Sequence, residues 1–181
     1  MSSRTTTLRA LLSAMLLATG MLASESARAD GPVVTFDMPG LPSTVTPGTT
    51  HVLNLRYAVT GTNLENATIS VDLPPGVLPT GAGNDATWTG GCQPDGTEPW
   101  AGGYLDWSCT WTAAQLQVPQ GGVSGQIPLT VRFARYAFGN GENIAIQPTF
   151  NANWNDDGTS RAIAPLTASA SAVIQGTVQL D

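Results

Sequence analysis

The sequence predicts an all-β fold, an immunoglobulin-like two-sheet antiparallel sandwich of about eight strands, and three observations lead there. Apolar residues recur at every second position, not at the spacing of a helix face. Threonine, glycine, valine, proline and asparagine, residues that favour strands and turns, make up much of the chain. Clusters of Pro, Gly, Asn and Asp separate the alternating runs and mark turns.

The alternation is clearest in residues 51–60, where Leu53, Leu55, Tyr57 and Val59 share one face and Asn54, Arg56 and Ala58 the other. Residues 66–73 set Ala67, Ile69, Val71 and Leu73 against Thr68, Ser70 and Asp72. Residues 127–134 set Ile127, Leu129, Val131 and Phe133 against Thr130 and Arg132. Residues 143–154 turn Ile144, Ile146, Phe150 and Trp154 inward, away from Asn143, Gln147, Thr149, Asn151 and Asn153. A side chain pointing alternately up and down makes each run a strand with one buried and one wet face. Weaker strands are predicted at residues 33–37, 86–89, 104–112 and a long final run, 161–174. Pro47-Gly48, Pro74-Pro75-Gly76, Gly121-Gly122 and Gly139-Asn140-Gly141 supply turns, and Asn155-Asp156-Asp157-Gly158 predicts a hairpin joining the last two strands. Residues 79–103 form the one long glycine-rich excursion, and a closed barrel is the competing architecture.

Ahead of the strands, residues 1–29 have the plan of an export signal. Arg4 and Arg9 precede a short apolar stretch, and Ala27-Arg28-Ala29 fits a small-x-small cleavage site before Asp30. Ser13, Thr19 and Gly20 interrupt that stretch, too short to cross a hydrocarbon core about 30 Å thick. The expectation is a signal peptide over 1–29 and a single sandwich domain over 30–181, secreted to the periplasm or the cell exterior, with no integral membrane segment after cleavage. The mature part carries four arginines, no lysine and twelve carboxylates, a net charge of −8. Such a surface repels phosphate backbones and argues against nucleic acid or anionic membrane as partner.

Cys92 and Cys109 are the chain's two cysteines, and an even count behind an export signal predicts one disulfide. Their spacing is unlike a CxxC redox pair, so the bond is expected as a staple across the long loop. Alternation along 104–112 places Leu105, Trp107, Cys109 and Trp111 on one face, a tryptophan–disulfide core arrangement. Trp88 and Trp100, in or beside the glycine-rich loop, are the candidate ligand-binding residues, with Asp85, Asp95, Glu98 and Asp106 as nearby acceptors for sugar hydroxyls. The structural alternative is that these large rings pin down a loop with little core of its own. Asn155, Asp156 and Asp157 could offer oxygens to calcium, but EF-hand spacing is absent and Asx-Gly turns form without metal. His51 is expected at the surface. No metal site and no cofactor are implied. For catalysis, nucleophile–base chemistry lacks its parts, and only the carboxylates Glu98 and Asp106 could serve a glycosidase.

The run from Thr44 to Val77 carries a resemblance. Pro47-Gly48, the alternating strand Leu53 to Val59, the Asn-rich turn from Asn63 to Asn66 and the strand end Asp72-Leu73-Pro74-Pro75-Gly76 together resemble the bacterial conserved repeat domain. Cys109, Gly121-Gly122 and Leu129-Thr130-Val131 fit its later course. The resemblance implies an immunoglobulin-like surface module of unknown function, usually in tandem arrays. Two departures stand out. One copy is present here, and the absence of lysine rules out the internal Lys–Asn isopeptide crosslink of related Gram-positive surface domains. The resulting expectation is a non-catalytic exported module with a structural or adhesive role at the cell envelope, its partner an envelope protein or glycan. The alternative is a carbohydrate-binding domain using the loop tryptophans.

Overall fold

The computed structural model describes residues 31–83, 87–95 and 106–176, so the predicted signal peptide lies outside the described residues. The early strands are β1 (Val33–Asp37), β2 (Thr44–Val45), β3 (Thr50–Thr60), β4 (Leu64–Leu73) and β5 (Val77–Ala82). They are followed by β6 (Thr89–Asp95), β7 (Asp106–Leu116) and β8 (Val123–Phe133). The last are β9 (Asn143–Ile146), β10 (Thr149–Asp156), β11 (Thr159–Ala162), β12 (Leu166–Thr167) and β13 (Ala170–Ile174). No helix occurs among the described residues.

One layer of the sandwich is the sheet β1-β3-β8-β5. The other is β11-β10-β4-β7-β6, with β12 also paired to β10, and a small sheet β2-β13-β9 continues it. The continuation is visible in the register. Asn143 lies opposite Val173, Thr149 opposite Thr167 and Asn153 opposite Ala162, so β9 and β10 run antiparallel to β11, β12 and β13 with a single one-residue slip. The two long runs expected at 143–154 and 161–174 are therefore one long hairpin, broken into shorter ladders. Pro148 accounts for the break on the first arm, because it has no N–H to give to a ladder. Breaking the two runs adds three of the five strands by which the thirteen among the described residues exceed the eight expected from alternation, and β2 and β5 are the other two.

The turn at Asn155 has the expected chemistry. Asp157 and Gly158 both have positive φ, and Asn155 Oδ1 accepts the Gly158 N–H at 2.8 Å. Asn66 also has positive φ, 50°. It lies inside β4, where Asn66 and Ala67 together face the single Ala152 of β10, a bulge rather than the strand start expected there.

Between the layers sits one core. Leu53, Leu55, Tyr57 and Val59 of β3 and Ile127, Leu129, Val131 and Phe133 of β8 meet Ile69, Val71 and Leu73 of β4 and Trp111 of β7, all buried. These are the faces that alternation assigned. Each fully buried side chain of this size contributes about 1.5–3 kcal/mol relative to exposure. The sequence reading missed the short β2, β5 and most of β6, the last two because their Gly and Pro content hides any apolar period. The expected strand 86–89 overlaps β6 only at Thr89.

Candidate functional site

Chain order explains where the unusual part of the molecule lies. After β4 the chain crosses to the other sheet as β5, returns as β6 and β7 to extend the edge beyond β4, and crosses again into β8. The β6–β7 hairpin is thus an addition at the sheet margin, and both cysteines are in it. Cys92 and Cys109 face one another directly across the two strands and are disulfide-bonded. The bond closes a loop with a sequence separation of 17, which covers residues 96–105. It staples two neighbouring strands of one sheet and does not tie the two layers together, unlike the inter-sheet bond of antibody domains.

Period-2 geometry then sorts the hairpin's residues. Trp88, Gly90 and Cys92 alternate on the core side with Trp107, Cys109 and Trp111, and their opposite face carries Thr89, Gly91, Gln93, Ser108, Thr110 and Thr112. Gly90 stands opposite Trp111, and a Cβ there would run into the Thr110 carbonyl, so only glycine permits this close backbone approach. On the outer face, Gly91, Gln93, Ser108 and Thr110 line a groove of about 540 Å³. A Cβ at Gly91 would meet nothing within 4 Å, so the missing side chain leaves its floor open.

Trp88 is not a surface platform. It is 0 % exposed, and its ring meets Tyr57 at 5.4 Å and Phe150 at 6.1 Å, both edge-on. Phe36 adds a contact to Phe150 at 5.8 Å, so one aromatic cluster joins the two layers. Trp88 cannot stack on a sugar from there. It is an apolar plug entering β6, and the position of its ring in the alternation of β6 was hidden by the glycines that follow it. Trp100, Asp85 and Glu98 lie outside the described residues, as does Leu105. Asp106 is half-buried at the start of β7 and Asp95 is exposed at the end of β6.

Of the two tryptophans expected beside Cys109, Trp111 is fully buried and donates its indole N–H to the Gly83 carbonyl at 3.0 Å. Trp107 is only half-buried, because it lies at the end of the ladder opposite Leu73 and Pro94, where the sandwich opens to solvent. Trp154 is half-buried too. His51 differs from expectation: it is half-buried, edge-on to Phe133 at 5.9 Å and 2.9 Å from the Thr49 hydroxyl. The Asx turn is occupied by its own chemistry, with Asn155 on Gly158 and Asp156 paired to Arg161 at 2.7 Å. Among the described residues no three His, Cys, Asp or Glu groups converge as metal ligands.

Sequence reasoning passed over two polar features. One is the hydroxyl- and amide-lined groove, whose only sequence signal is the outward set Ser108, Thr110 and Thr112. The other is a notch of about 310 Å³ at the end of β8, lined by Gly48, Arg132, Ala134, Arg135 and Tyr136.

These features define an antiparallel immunoglobulin-like sandwich with an added, disulfide-stapled hairpin. No family model matches the sequence, and no curated protein matches it. Among solved structures, the chain is similar to BcpA, the major pilin subunit of Bacillus cereus, at 12% identity and TM-score 0.45, over 77% of this chain and 40% of that one. It is similar to an uncharacterized Nocardia farcinica protein with an immunoglobulin-like fold, at 18% identity and TM-score 0.43, over 79% and 98% of the two chains. It is also similar to AvmM, which catalyzes macrocyclization in alchivemycin A biosynthesis, at 14% identity and TM-score 0.44, over 83% and 92%. At such distances these are likenesses of general shape, and no functional argument rests on them.

Proposed function

We propose that this chain is a non-catalytic, exported immunoglobulin-like module of the conserved-repeat kind, with a structural or adhesive role at the cell envelope. The observation that carries the reading is the β6–β7 hairpin: an edge addition locked by Cys92–Cys109, whose outward face presents Gln93, Ser108, Thr110 and Thr112. A rigid frame bearing a crosslinked polar face suits recognition better than chemistry, which would need an activated nucleophile or poised acid–base pair. The disulfide supports an oxidising compartment, in keeping with removal of residues 1–29 and a periplasmic or extracellular location.

A second reading, carbohydrate binding, is favoured by the groove over Gly91, because hydroxyl and amide side chains beside an open floor match the hydrogen-bonding needs of a neutral sugar. In that reading Trp100 is the remaining loop-tryptophan candidate and Trp88 contributes only by packing.

Binding of residues 30–181 to whole envelopes and to an array of envelope glycans tests both. The adhesive reading expects saturable binding that falls when Ser108 and Thr110 are both replaced by valine. Binding to isolated glycans selects the carbohydrate reading. Turnover of a glycoside that Glu98→Gln abolishes would overthrow the non-catalytic proposal.

A further inference from the structure

The mature sequence holds only four arginines among twelve carboxylates, and the structure divides those four into two kinds. Arg56 is paired with Asp37 and Arg161 with Asp156, each at 2.7 Å. Arg132 and Arg135 are exposed and, among the described residues, pair with no carboxylate, although acids outnumber them heavily. Both line the notch at the end of β8, and with them stands Tyr136, 65% exposed.

The notch is built by backbone that has little freedom. Gly48 N–H donates to the Phe133 carbonyl at 2.6 Å, and Phe133 N–H donates to the Thr49 carbonyl at 3.0 Å, tying the Pro47-Gly48 turn to the end of β8. Gly48 has φ +89°, and a Cβ there would come within 3.1 Å of the Arg135 stem. The left-handed φ favours glycine in this turn, and the absent side chain leaves the Arg135 stem lying close over it. Arg132 projects from the β8 ladder opposite Thr50.

We infer that this notch binds a terminal uronate-type sugar, its carboxylate held between the Arg132 and Arg135 guanidinium groups and its ring lying against Tyr136. Guanidinium forks match the geometry of a carboxylate, and charge-assisted hydrogen bonds are the strong ones available at a surface. An exposed aromatic ring offers an apolar body beside a polar edge, which a pyranose face can cover. Size and charge select the class. A volume of about 310 Å³ is at the low end for ligand sites and suits one ring. A chain with twelve carboxylates against four arginines beyond residue 29 repels a peptide carrying several carboxylates more than it repels a ligand with a single terminal acid. The groove over Gly91 is lined by different strands, so this inference stands apart from the carbohydrate reading of that groove.

The test titrates methyl β-glucuronide and methyl β-glucoside, which differ at the carboxylate, into the isotope-labelled mature protein and follows amide shifts. The glucuronide should shift Arg135, Tyr136 and the Gly48 turn, weakening with added salt, and the glucoside should leave them in place. Arg132→Gln/Arg135→Gln should lower glucuronide affinity at least about tenfold, the loss expected for two charged hydrogen-bonding groups. Both side chains are exposed, so this variant should melt with the wild type. Arg56→Gln, which removes an arginine outside the notch, should bind as the wild type does. Equal binding of the two glycosides, unchanged affinity in the double variant, no shifts at these residues, or preference for a blocked aspartyl peptide over the glucuronide would each overturn the inference.

Discussion

In the β3–β8 pair, the inward side chains from Leu53 to Val59 and from Ile127 to Phe133 are all shut away from solvent. Along β6, no residue is fully buried, and only Gly91 and Cys92 are even half-covered. Both are antiparallel ladders, yet in the first both strands bury their inward side chains, whereas in the β6–β7 ladder only β7 does, with Cys109 and Trp111 fully buried. A covalent bond stands in the second at the place where an apolar pair stands in the first. Burial and crosslinking are alternative ways to keep a hairpin closed, and β6, with Gly90 on its core side and no fully buried residue between Thr89 and Asp95, leans on the latter.

Breaking the buried part should cost most. Trp88→Ala and Trp111→Ala each empty a fully buried site and should destabilise by about 3–5 kcal/mol in urea denaturation. Trp107→Ala should cost clearly less than Trp111→Ala, since Trp107 is half-exposed at the ladder end. If Trp88→Ala were as mild as a surface change, the indole would be outside the core and the whole register of β6 would be shifted by one residue.

Next comes the crosslink. Replacing Cys92 and Cys109 together by serine should cost about 3 kcal/mol, the chain-entropy value for a loop of this length, in the same denaturation assay. A loss near zero would mean that the hairpin is closed by contacts after all.

The smallest effect belongs to an exposed pair in the well-buried sheet. The Asp37 carboxyl is held below its ordinary range by hydrogen bonds from Arg56, opposed by partial burial and helped by the guanidinium charge. Its contribution is therefore present above the unfolded-state carboxylate pKa and is lost as pH falls through the depressed folded value. Arg56→Gln should return the Asp37 titration, followed by carboxyl NMR, to the ordinary range, and should shift the melting temperature at neutral pH least among these variants.

The same contrast decides what could be read from sequence. In β3 and β8 the period is clear from Leu53 to Val59 and from Ile127 to Phe133, so those inward residues were legible as such, while His51, on the same face but polar, was not. Entering β6, the alternating positions are Trp88, just before the strand, then Gly90 and Cys92, and a glycine records no preference for inside or outside. Trp88 could therefore be taken for a loop platform when it is part of the core. The long final hairpin was legible in its arms and its Asn155–Gly158 turn, but Pro148 and the one-residue slip between the Phe150–Leu166 and Asn153–Ala162 pairs divide its ladders in ways alternation does not record. The polar groove and the arginine notch depend on which strands become neighbours, and alternation within a single strand carries no such information.

Hydrogen exchange on the oxidised and the reduced protein tests the contrast most directly, because it reads closure strand by strand. Reduction should strip protection from the amides of β6 and the facing start of β7 while those of β3 and β8 exchange as before. Uniform loss of protection across both layers, or no loss in β6, would contradict the view that the disulfide holds the added hairpin and burial holds the frame.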